Sequence, residues 1–389
     1  MEYKTLGSLV DRKIGYGIVQ PGQNILDGVP VIKVNNLITG LHSKDELDVT
    51  TKENDEKYSR TRLEGGELIV SVVGTVGKTA IVPKSFRGCN LVRAVAMIDI
   101  KENWLSRWVK YYIDSPAGQA YIEQNLNTTV QATLNIKTLV DMPIPFLKED
   151  EMRKIVTILD AIDRKIECDQ QINDNLLEQM QALYKSWFVD YRPFGGVMPT
   201  SWTQTGIYSL ANIIYGAPFA SKQFNTEGNG RPIIRIRDLK DQQFATYTTE
   251  VHPKGYLLHP GDIVVGMDGE FRPYIWGNDE AWLNQRVCVF ENKRPNGKAF
   301  LYFTIKPLLF AIEQTQVATT VIHIGKKDFD AFEIMLPDTE LLDAFDVITT
   351  PMVEQIVSNS IENKRLAIMR DALLPKLMSG EINVSNIQL

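Results

Sequence analysis

Residues 148–191 read KEDEMRKIVTILDAIDRKIECDQQINDNLLEQMQALYKSWFVDY, and this stretch decides the fold. Counted in heptads from Ile155, apolar side chains recur at the first and fifth positions, as in a helix that packs along one seam. One layer departs from the pattern, because Asp169 and Asn173 stand where aliphatic residues are expected. A polar pair buried in such a seam fixes the register of the helices at some cost in stability.

The C-terminal segment carries the same heptad register 190 residues later, and its polar layer returns as Asn359 and Asn363. The shared pattern predicts two long helices that pack against each other as an antiparallel coiled coil about the polar layer. The alternative is that each helix packs only on its neighbouring domain. Thr350 before Pro351 resembles a helix start, so we expect residues 338–349 to form a separate short helix. The predicted seam residues are Ile155, Leu159, Ile162, Ile166, Leu176, Met180, Leu183, Met352, Ile356, Leu366, Leu373 and Leu377.

The rest of the chain uses one plan twice. LEGGELIV at residues 63–70 has a counterpart in LHPGDIVV at 258–265, and VIKVNNL is echoed by IIRIRDL. An internal duplication explains both echoes, and it predicts two similar globular domains of mixed α/β (α+β) class related by a pseudo-twofold repeat. The predicted segments are a first domain at 1–147, a central helix at 148–192, a second domain at 193–337 and a C-terminal helix at 338–389.

The composition is that of an ordinary globular protein, with 44% hydrophobic and 23% charged residues. The net charge is −6, but the two helical segments carry the acidic excess and leave the globular segments near neutrality, which permits DNA binding. No apolar run reaches the length of a membrane span, so we expect a cytoplasmic protein. Cys89, Cys168 and Cys288 are far apart and have no nearby histidine, so neither a disulfide framework nor a metal site is predicted.

Catalytic motifs are incomplete in this sequence. GTVGKT at residues 74–79 ends like a phosphate-binding loop, but Val72 occupies the place of its first glycine. DMPIP at 141–145 lacks the adjacent prolines of a DNA methyltransferase motif, and no glycine-rich cofactor loop is present. No Gly-x-Ser-x-Gly elbow of a serine hydrolase occurs either. We therefore predict a chain without catalytic residues.

Taken together, the duplicated plan and the C-terminal LLPKLMSGEI at residues 373–382 resemble the specificity subunit of type I restriction-modification systems. The domain openings, LGSL followed by IGYG at 14–17 and SL followed by IIYG at 213–216, carry the same resemblance. It implies a non-catalytic DNA reader in which each target recognition domain reads one half of a bipartite site and the helices act as a spacer. It further implies docking of two modification subunits, which bring S-adenosylmethionine, and then of restriction subunits. The alternative is a coiled-coil scaffold whose duplicated domains bind proteins or peptides.

Contacts to DNA need Lys or Arg for phosphates, and forked or amide donors for base edges. Such residues cluster on predicted loops in both domains. The candidates are Lys78, Lys84, Arg87, Arg93, Thr128, Thr129 and Gln131 in the first domain, and Arg235, Arg237, Arg272, Arg286, Thr319, Thr320 and His323 in the second. Arg93 and Arg286 are additionally predicted to occupy duplicated positions.

Overall fold

The structure is a computed structural model, and it describes residues 2–127, 131–315, 323–385 and 387. Contacts divide the chain into two compact units, and the division passes through both long helices. Unit 1 comprises Met1–Asp163 and Ala367–Leu389, and unit 2 comprises Arg164–Leu366. The C-terminal residues therefore belong to the same unit as the N-terminal ones.

Unit 1 contains nine strands and five short helices among the residues that the structure describes, followed by the start of a long helix. The elements in chain order are β1 (Glu2–Thr5), β2 (Arg12–Tyr16), β3 (Val29–Ile32), α1 (Val34–Thr39), β4 (Asp48–Thr50), α2 (Lys52–Lys57), β5 (Leu68–Ser71), β6 (Thr79–Ile81), β7 (Asn90–Leu91), β8 (Val95–Asp99), α3 (Asn103–Asp114), α4 (Pro116–Gln124), α5 (Ile136–Val140), β9 (Pro143–Phe146) and α6 (Glu149–Tyr184). A single π-helical turn, Lys185–Val189, continues α6.

Unit 2 follows the same plan. Its elements are β10 (Thr203–Gly206), β11 (Ala211–Tyr215), β12 (Phe224–Asn225), β13 (Arg231–Ile234), β14 (Tyr247–Thr248), β15 (Leu257–Leu258), β16 (Ile263–Gly266), β17 (Pro273–Ile275), β18 (Ala281–Leu283), β19 (Val287–Asn292), α7 (Lys298–Thr315), α8 (Lys326–Asp330), β20 (Glu333–Leu336) and α9 (Thr339–Met378). No described helix is long and apolar enough to cross a membrane.

The main sheets of the two units share one topology, whereas the second sheet has three strands in unit 1 and five in unit 2. Unit 1 has an antiparallel sheet in the order β2-β8-β5-β6, and unit 2 has β11-β19-β16-β17. In each unit a second sheet contains one parallel pair, β3 with β7 or β13 with β18, and a separate two-stranded pair joins β1 to β9 or β10 to β20. The predicted duplication and the mixed fold class are confirmed.

The central strands are apolar on both faces because each face lies in a different core. On β5, Leu68 and Val70 belong to the cluster beneath the helices, whereas Ile69 belongs to the cluster beneath the second sheet. On β16, Ile263 and Val264 divide in the same way. Side chains of a strand alternate between faces, so a short continuous apolar run is what a strand covered on both faces requires.

The helix α9 runs through Pro351, which corrects the predicted break after Thr349. Proline removes the hydrogen bond to the carbonyl four residues earlier, which is that of Val347. Val347 is 76% exposed, so the carbonyl that loses its partner belongs to a solvent-facing residue, where the loss is least costly. The Thr350 hydroxyl does not cap a helix but donates to the Asn296 carbonyl at 3.1 Å.

The helical residues after Asn103 form two helices, α3 and α4, rather than one. Ser115 stands between the two helices, and its Oγ accepts a hydrogen bond from the Gly118 amide at 3.2 Å. Pro116 follows at the first helical position, where a missing amide proton costs nothing. The Ser-Pro pair therefore ends one helix and starts the next.

Candidate nucleic-acid interface

In unit 1, the structure brings three predicted DNA-contact residues to the C-terminal end of β5. The Val72 amide donates to the Ala94 carbonyl at 2.8 Å, which places Arg93 beside this strand end. The Gly74 amide donates to the Ala132 carbonyl at 2.9 Å, next to Gln131. We call Lys78, Arg93 and Gln131 the β5-end surface.

The side chains of the β5-end surface are exposed. The Lys78 amide donates to Ser71 Oγ at 2.8 Å, which fixes the turn between β5 and β6 while the lysine side chain points outward. The Arg93 amide donates to the Ile18 carbonyl at 2.8 Å. No ion pair of Lys78 or Arg93 occurs within the described residues, so both cations remain available to an anion.

Lys84 and Arg87 lie at the other end of β5. The Gly88 amide donates to the Leu63 carbonyl at 2.8 Å, which places this turn before the strand rather than after it. Arg87 Nε pairs with Glu64 Oε2 at 2.8 Å. The predicted candidates of the first domain therefore divide between two ends of one strand.

In unit 2, the C-terminal end of β16 carries a corresponding surface. The Met267 amide donates to the Arg286 carbonyl at 2.8 Å, and the Ile324 amide donates to the Met267 carbonyl at 2.9 Å. These bonds bring Arg286 and His323 together, with Asp268 between them. We call Asp268, Arg286 and His323 the β16-end surface.

The other candidate arginines of unit 2 differ in burial and in the partners that their side chains already have. Arg235 is mostly buried, and its guanidinium donates to Asp238 and Thr246. Arg272 forms a bidentate pair with Glu313. This pairing holds the pKa of Glu313 below its ordinary value, because the guanidinium stabilises the carboxylate. Arg237 is 70% exposed and has only a 3.8 Å contact to Asp238.

Arg93 and Arg286 do not occupy duplicated positions. The Arg93 amide donates to the Ile18 carbonyl, and the equivalent bond to Ala217 comes from the Gln285 amide at 2.9 Å. The partner of Met267 is Arg286, whereas the equivalent Val72 is paired with Ala94. The sequence-based equivalence is therefore wrong by one residue, because the two domains differ in loop length between their central strands.

Four predicted contact residues lie outside the described residues. They are Thr128, Thr129, Thr319 and Thr320. The loops to which they belong are equivalent in the two units, since Val73 forms a bridge with Thr133 and Asp268 forms one with His323.

Sequence reasoning missed two polar side chains at these surfaces. Asp268 contacts both Arg286 and His323, and nothing in its local sequence distinguishes it from the other acidic residues. Lys33 follows β3 as Arg235 follows β13, and its ammonium pairs with Asp48. The echo of VIKVNNL by IIRIRDL aligns Lys33 with Arg235 and carries the signal for this second residue.

The predicted helix seam is apolar at its ends and polar in the middle. Unit 1 takes Ile155, Leu159, Leu373 and Leu377 into its main core, and unit 2 takes Met180, Leu183, Met352 and Ile356 into its own. The other four, Ile162, Ile166, Leu176 and Leu366, flank the polar layer in sequence. The helix ends are thus parts of the domain cores as well as of the seam.

The polar layer lies within unit 2 and is hydrogen-bonded across the two helices. Asn359 Nδ2 donates to Asn173 Oδ1 at 2.9 Å, and Asn363 Nδ2 donates to the Ile166 carbonyl at 3.3 Å. The pairs run in opposite directions along the two helices, which is the predicted antiparallel arrangement. Asp169 is buried and is neutralised by Lys165, which also reaches Glu362 at 3.0 Å.

Within unit 1, α3 is joined to both long helices by an ionic network. Asp163 accepts hydrogen bonds from Tyr111 Oη and from Arg370 Nη1, both at 2.8 Å. Tyr111 Oη lies equally close to Asp160, at 2.8 Å, so the two carboxylates share its one proton, and Asp160 also accepts a hydrogen bond from Arg107 at 3.0 Å. We call these five side chains the ionic joint.

The corresponding region of unit 2 is aromatic. Tyr184 on α6 lies 5.6 Å from Phe303 and 5.8 Å from Phe300, measured between ring centroids. Phe188 stands edge-on to Phe345 at 5.0 Å. Beside the apolar packing common to both units, unit 1 therefore adds an ionic network at its helices and unit 2 adds a cluster of aromatic rings.

Two of the three cysteine thiols are buried and one is exposed. Burial raises the pKa of Cys89 and that of Cys288, which disfavours their thiolate forms, whereas Cys168 lies on the surface. Among the described residues, no group of three or more His, Cys, Asp or Glu side chains is arranged to hold a metal ion.

A duplicated α/β domain, joined to two long helices and carrying polar side chains at one strand end in each copy, defines a modular binding protein. The sequence model described as the type I restriction modification DNA specificity domain matches residues 3–178 and again 199–358. The chain belongs to this family, and it contains the domain twice.

Known relatives agree with this assignment. The specificity subunit of the type I restriction enzyme EcoBI from Escherichia coli is 38% identical over 138 residues, which is 35% of this chain and 29% of that protein. The MjaIX specificity subunit from Methanocaldococcus jannaschii is 24% identical over 314 residues, covering 74% of this chain and 71% of the relative. A crystal structure of the type I restriction-modification S subunit from M. genitalium matches with a TM-score of 0.56 at 15% identity, covering 97% of this chain and 95% of that one, which supports the same fold.

Proposed function

We propose that this chain is the specificity subunit of a type I restriction-modification complex and reads a bipartite DNA target, one half with each recognition domain. The observation that carries the proposal is the repeated framework that brings polar side chains to the same strand end in both units. Lys78 and Arg93 supply cations there in unit 1, and Arg286 supplies one in unit 2. Family membership favours DNA over a peptide or protein ligand.

The two long helices are proposed to set the distance between the half-sites and to dock two modification subunits. A helix pair with a hydrogen-bonded polar layer has one preferred register, as a spacer requires. The acidic excess of the helical segments keeps them from competing for DNA phosphates. Restriction subunits would join the same complex in the cytoplasm.

Chemistry on DNA is assigned to the partners. The modification subunits are proposed to bring S-adenosylmethionine and the methyl-transfer site, and this chain is proposed to bind no cofactor and to catalyse no step. Its contribution is the choice of the target and the spacing of its halves. Binding should weaken steeply as salt rises, because cations released from phosphates contribute to the affinity.

The test uses the full chain together with its modification subunits. Selection from a randomised duplex library should yield a motif with two defined halves separated by a gap of fixed length. Arg93→Ala should weaken recognition of one half only, whereas Lys101→Ala, which removes an exposed cation just after β8 and outside the β5-end surface, should leave the motif and the affinity unchanged. Loss of both halves in Arg93→Ala would contradict modular reading. Equal losses in both variants would contradict the assignment of the β5-end surface.

The spacer role has its own test. Inserting seven residues, which preserve the heptad register, into both long helices lengthens each by about 10 Å at a rise of 1.5 Å per residue. The selected gap should then change while both half-site sequences are retained. An unchanged gap would rule out the helices as the spacer and leave the recognition of the half-sites untouched.

A further inference from the structure

Arg286 has an uncommon backbone conformation. Its φ is 69°, and within the described residues the only other non-glycine positions with positive φ are Tyr191 and Gln242. An arginine gains nothing from the left-handed region, where its Cβ is crowded by the neighbouring carbonyl. Such a conformation persists where the surroundings enforce it, and it is concentrated at functional positions.

The side chain of Arg286 is held from one side. Nη1 lies 2.9 Å from His323 Nδ1 and 3.6 Å from Asp268 Oδ1. Asp268 Oδ1 is in turn 2.7 Å from His323 Nδ1. All of the contacts that the structure gives for this guanidinium use Nη1. The edge formed by Nε and Nη2 is therefore presented outward from a side chain that is 53% exposed.

The β16-end surface is not needed by the scaffold. The equivalent positions in unit 1 are Val73 for Asp268, Ala94 for Arg286 and Thr133 for His323. Unit 1 makes the matching backbone hydrogen bonds, from Val72 to Ala94 and from Leu134 to Val72, and its Val73, Ala94 and Thr133 side chains cannot form an ion pair. The charged cluster is thus present in unit 2 and absent from the equivalent positions of unit 1. We therefore relate it to a difference in function between the two domains.

We propose that Arg286 reads a guanine in the half-site of the second domain, and that Asp268 and His323 are positioning residues that aim its guanidinium. This inference rests on the proposed function. Guanine presents N7 and O6 as neighbouring acceptors in the major groove, and two parallel N–H groups of an arginine match them. Fixing one nitrogen of the fork lowers the entropy lost when the other edge binds.

The side chain can be removed without disturbing the backbone, because glycine adopts a φ of 69° without strain. In Arg286→Gly, library selection should return the motif with one guanine position of one half degenerate, and affinity for the wild-type motif should fall on the order of ten- to a hundredfold. Arg237→Ala is the matched control, since it removes an exposed arginine of the same domain. It should weaken all sequences alike and lower the slope of the salt dependence.

The positioning role has a separate readout. Asp268→Ala should reduce the preference for guanine over 7-deazaguanine, which lacks the N7 acceptor, while affinity for the 7-deazaguanine duplex stays unchanged. Asp268→Asn, which keeps an acceptor oxygen, should restore part of the preference. Equal losses on both duplexes would show a merely structural residue and overturn the positioning role.

Two outcomes separate this inference from the proposed function. If Arg286→Gly selects the same motif as the wild type, Arg286 does not read a guanine, although DNA recognition stands. The same conclusion follows if the wild-type motif contains no guanine in the half that Arg93→Ala leaves unaffected. A wild-type complex that selects no motif overturns the proposed function itself.

Discussion

Removing the carboxylate of Asp163 should destabilise unit 1 far more than removing that of Asp371, although both pair with the same arginine. Asp163 accepts hydrogen bonds at 2.8 Å from Arg370 and from Tyr111, and its side chain is only 19% exposed. Asp371 also lies 2.8 Å from Arg370, but it is 63% exposed. Asp163→Ala and Asp371→Ala therefore remove the same charge from the same partner at different depths.

The expected magnitudes follow from burial. Hydrogen bonds to charged groups contribute about 1.5–3 kcal/mol each when buried, and partial exposure of Arg370 reduces this. We expect Asp163→Ala to cost about 2–3 kcal/mol and Asp371→Ala less than about 1 kcal/mol. Because a chain with two units need not unfold in one step, the assay is hydrogen exchange by mass spectrometry on peptides covering residues 155–163. Equal losses of protection from hydrogen exchange in the two variants would refute the reasoning that burial of the carboxylate decides how much it stabilises unit 1.

Three further predictions concern unit 2. Because Arg272 lowers the pKa of Glu313, the pair stabilises the fold above pH 4.5, the ordinary pKa of a glutamate, and this stability is lost as the pH falls through the lowered pKa. In Glu313→Gln, the thermal unfolding temperature should therefore fall less on acidification than in the wild type. An equal fall in both proteins would contradict the prediction. Asn359→Leu should cost about 1–3 kcal/mol of local stability, measured by hydrogen exchange of peptides that cover the polar layer, because it leaves Asn173 Oδ1 without its donor. The double variant with Asn173→Leu should recover most of that loss. Pro351→Ala should stabilise α9 by about 1–3 kcal/mol, seen as slower hydrogen exchange, since it restores a hydrogen bond inside the helix; unchanged exchange would show that water already satisfies the carbonyl fully.

Features with a regular period could be predicted from the sequence. The long helices follow from apolar side chains at heptad spacing, and the polar layer follows from Asn173 and Asn359 interrupting that spacing. The duplication follows from short apolar runs that return in order. The continuity of α9 could not be predicted, because tolerance of Pro351 depends on where one carbonyl points after the helix has packed.

The sequence could indicate which residue types are suited to contact DNA, but not which of these side chains are already paired within the protein. Arg272 and Arg286 look alike in the sequence, yet Arg272 is paired with Glu313, which lies 41 residues away. Equivalent positions are 195 residues apart at the first central strand, from Leu68 to Ile263, but 192 apart at the second, from Ile98 to Phe290. The offset changes by three residues across that loop, so the sequence alone could not identify Gln285 as the equivalent of Arg93.

The placement of the C-terminal residues in unit 1 has a consequence during synthesis. Val384 is buried in the main core of unit 1, and Lys154 Nζ donates to the Ser385 carbonyl at 2.7 Å. When the ribosome has synthesised all of unit 2, the C-terminal residues that complete unit 1 have still to emerge. A stop codon between the codons of Leu366 and Val384 would therefore damage the recognition domain that is synthesised first and leave the later one whole.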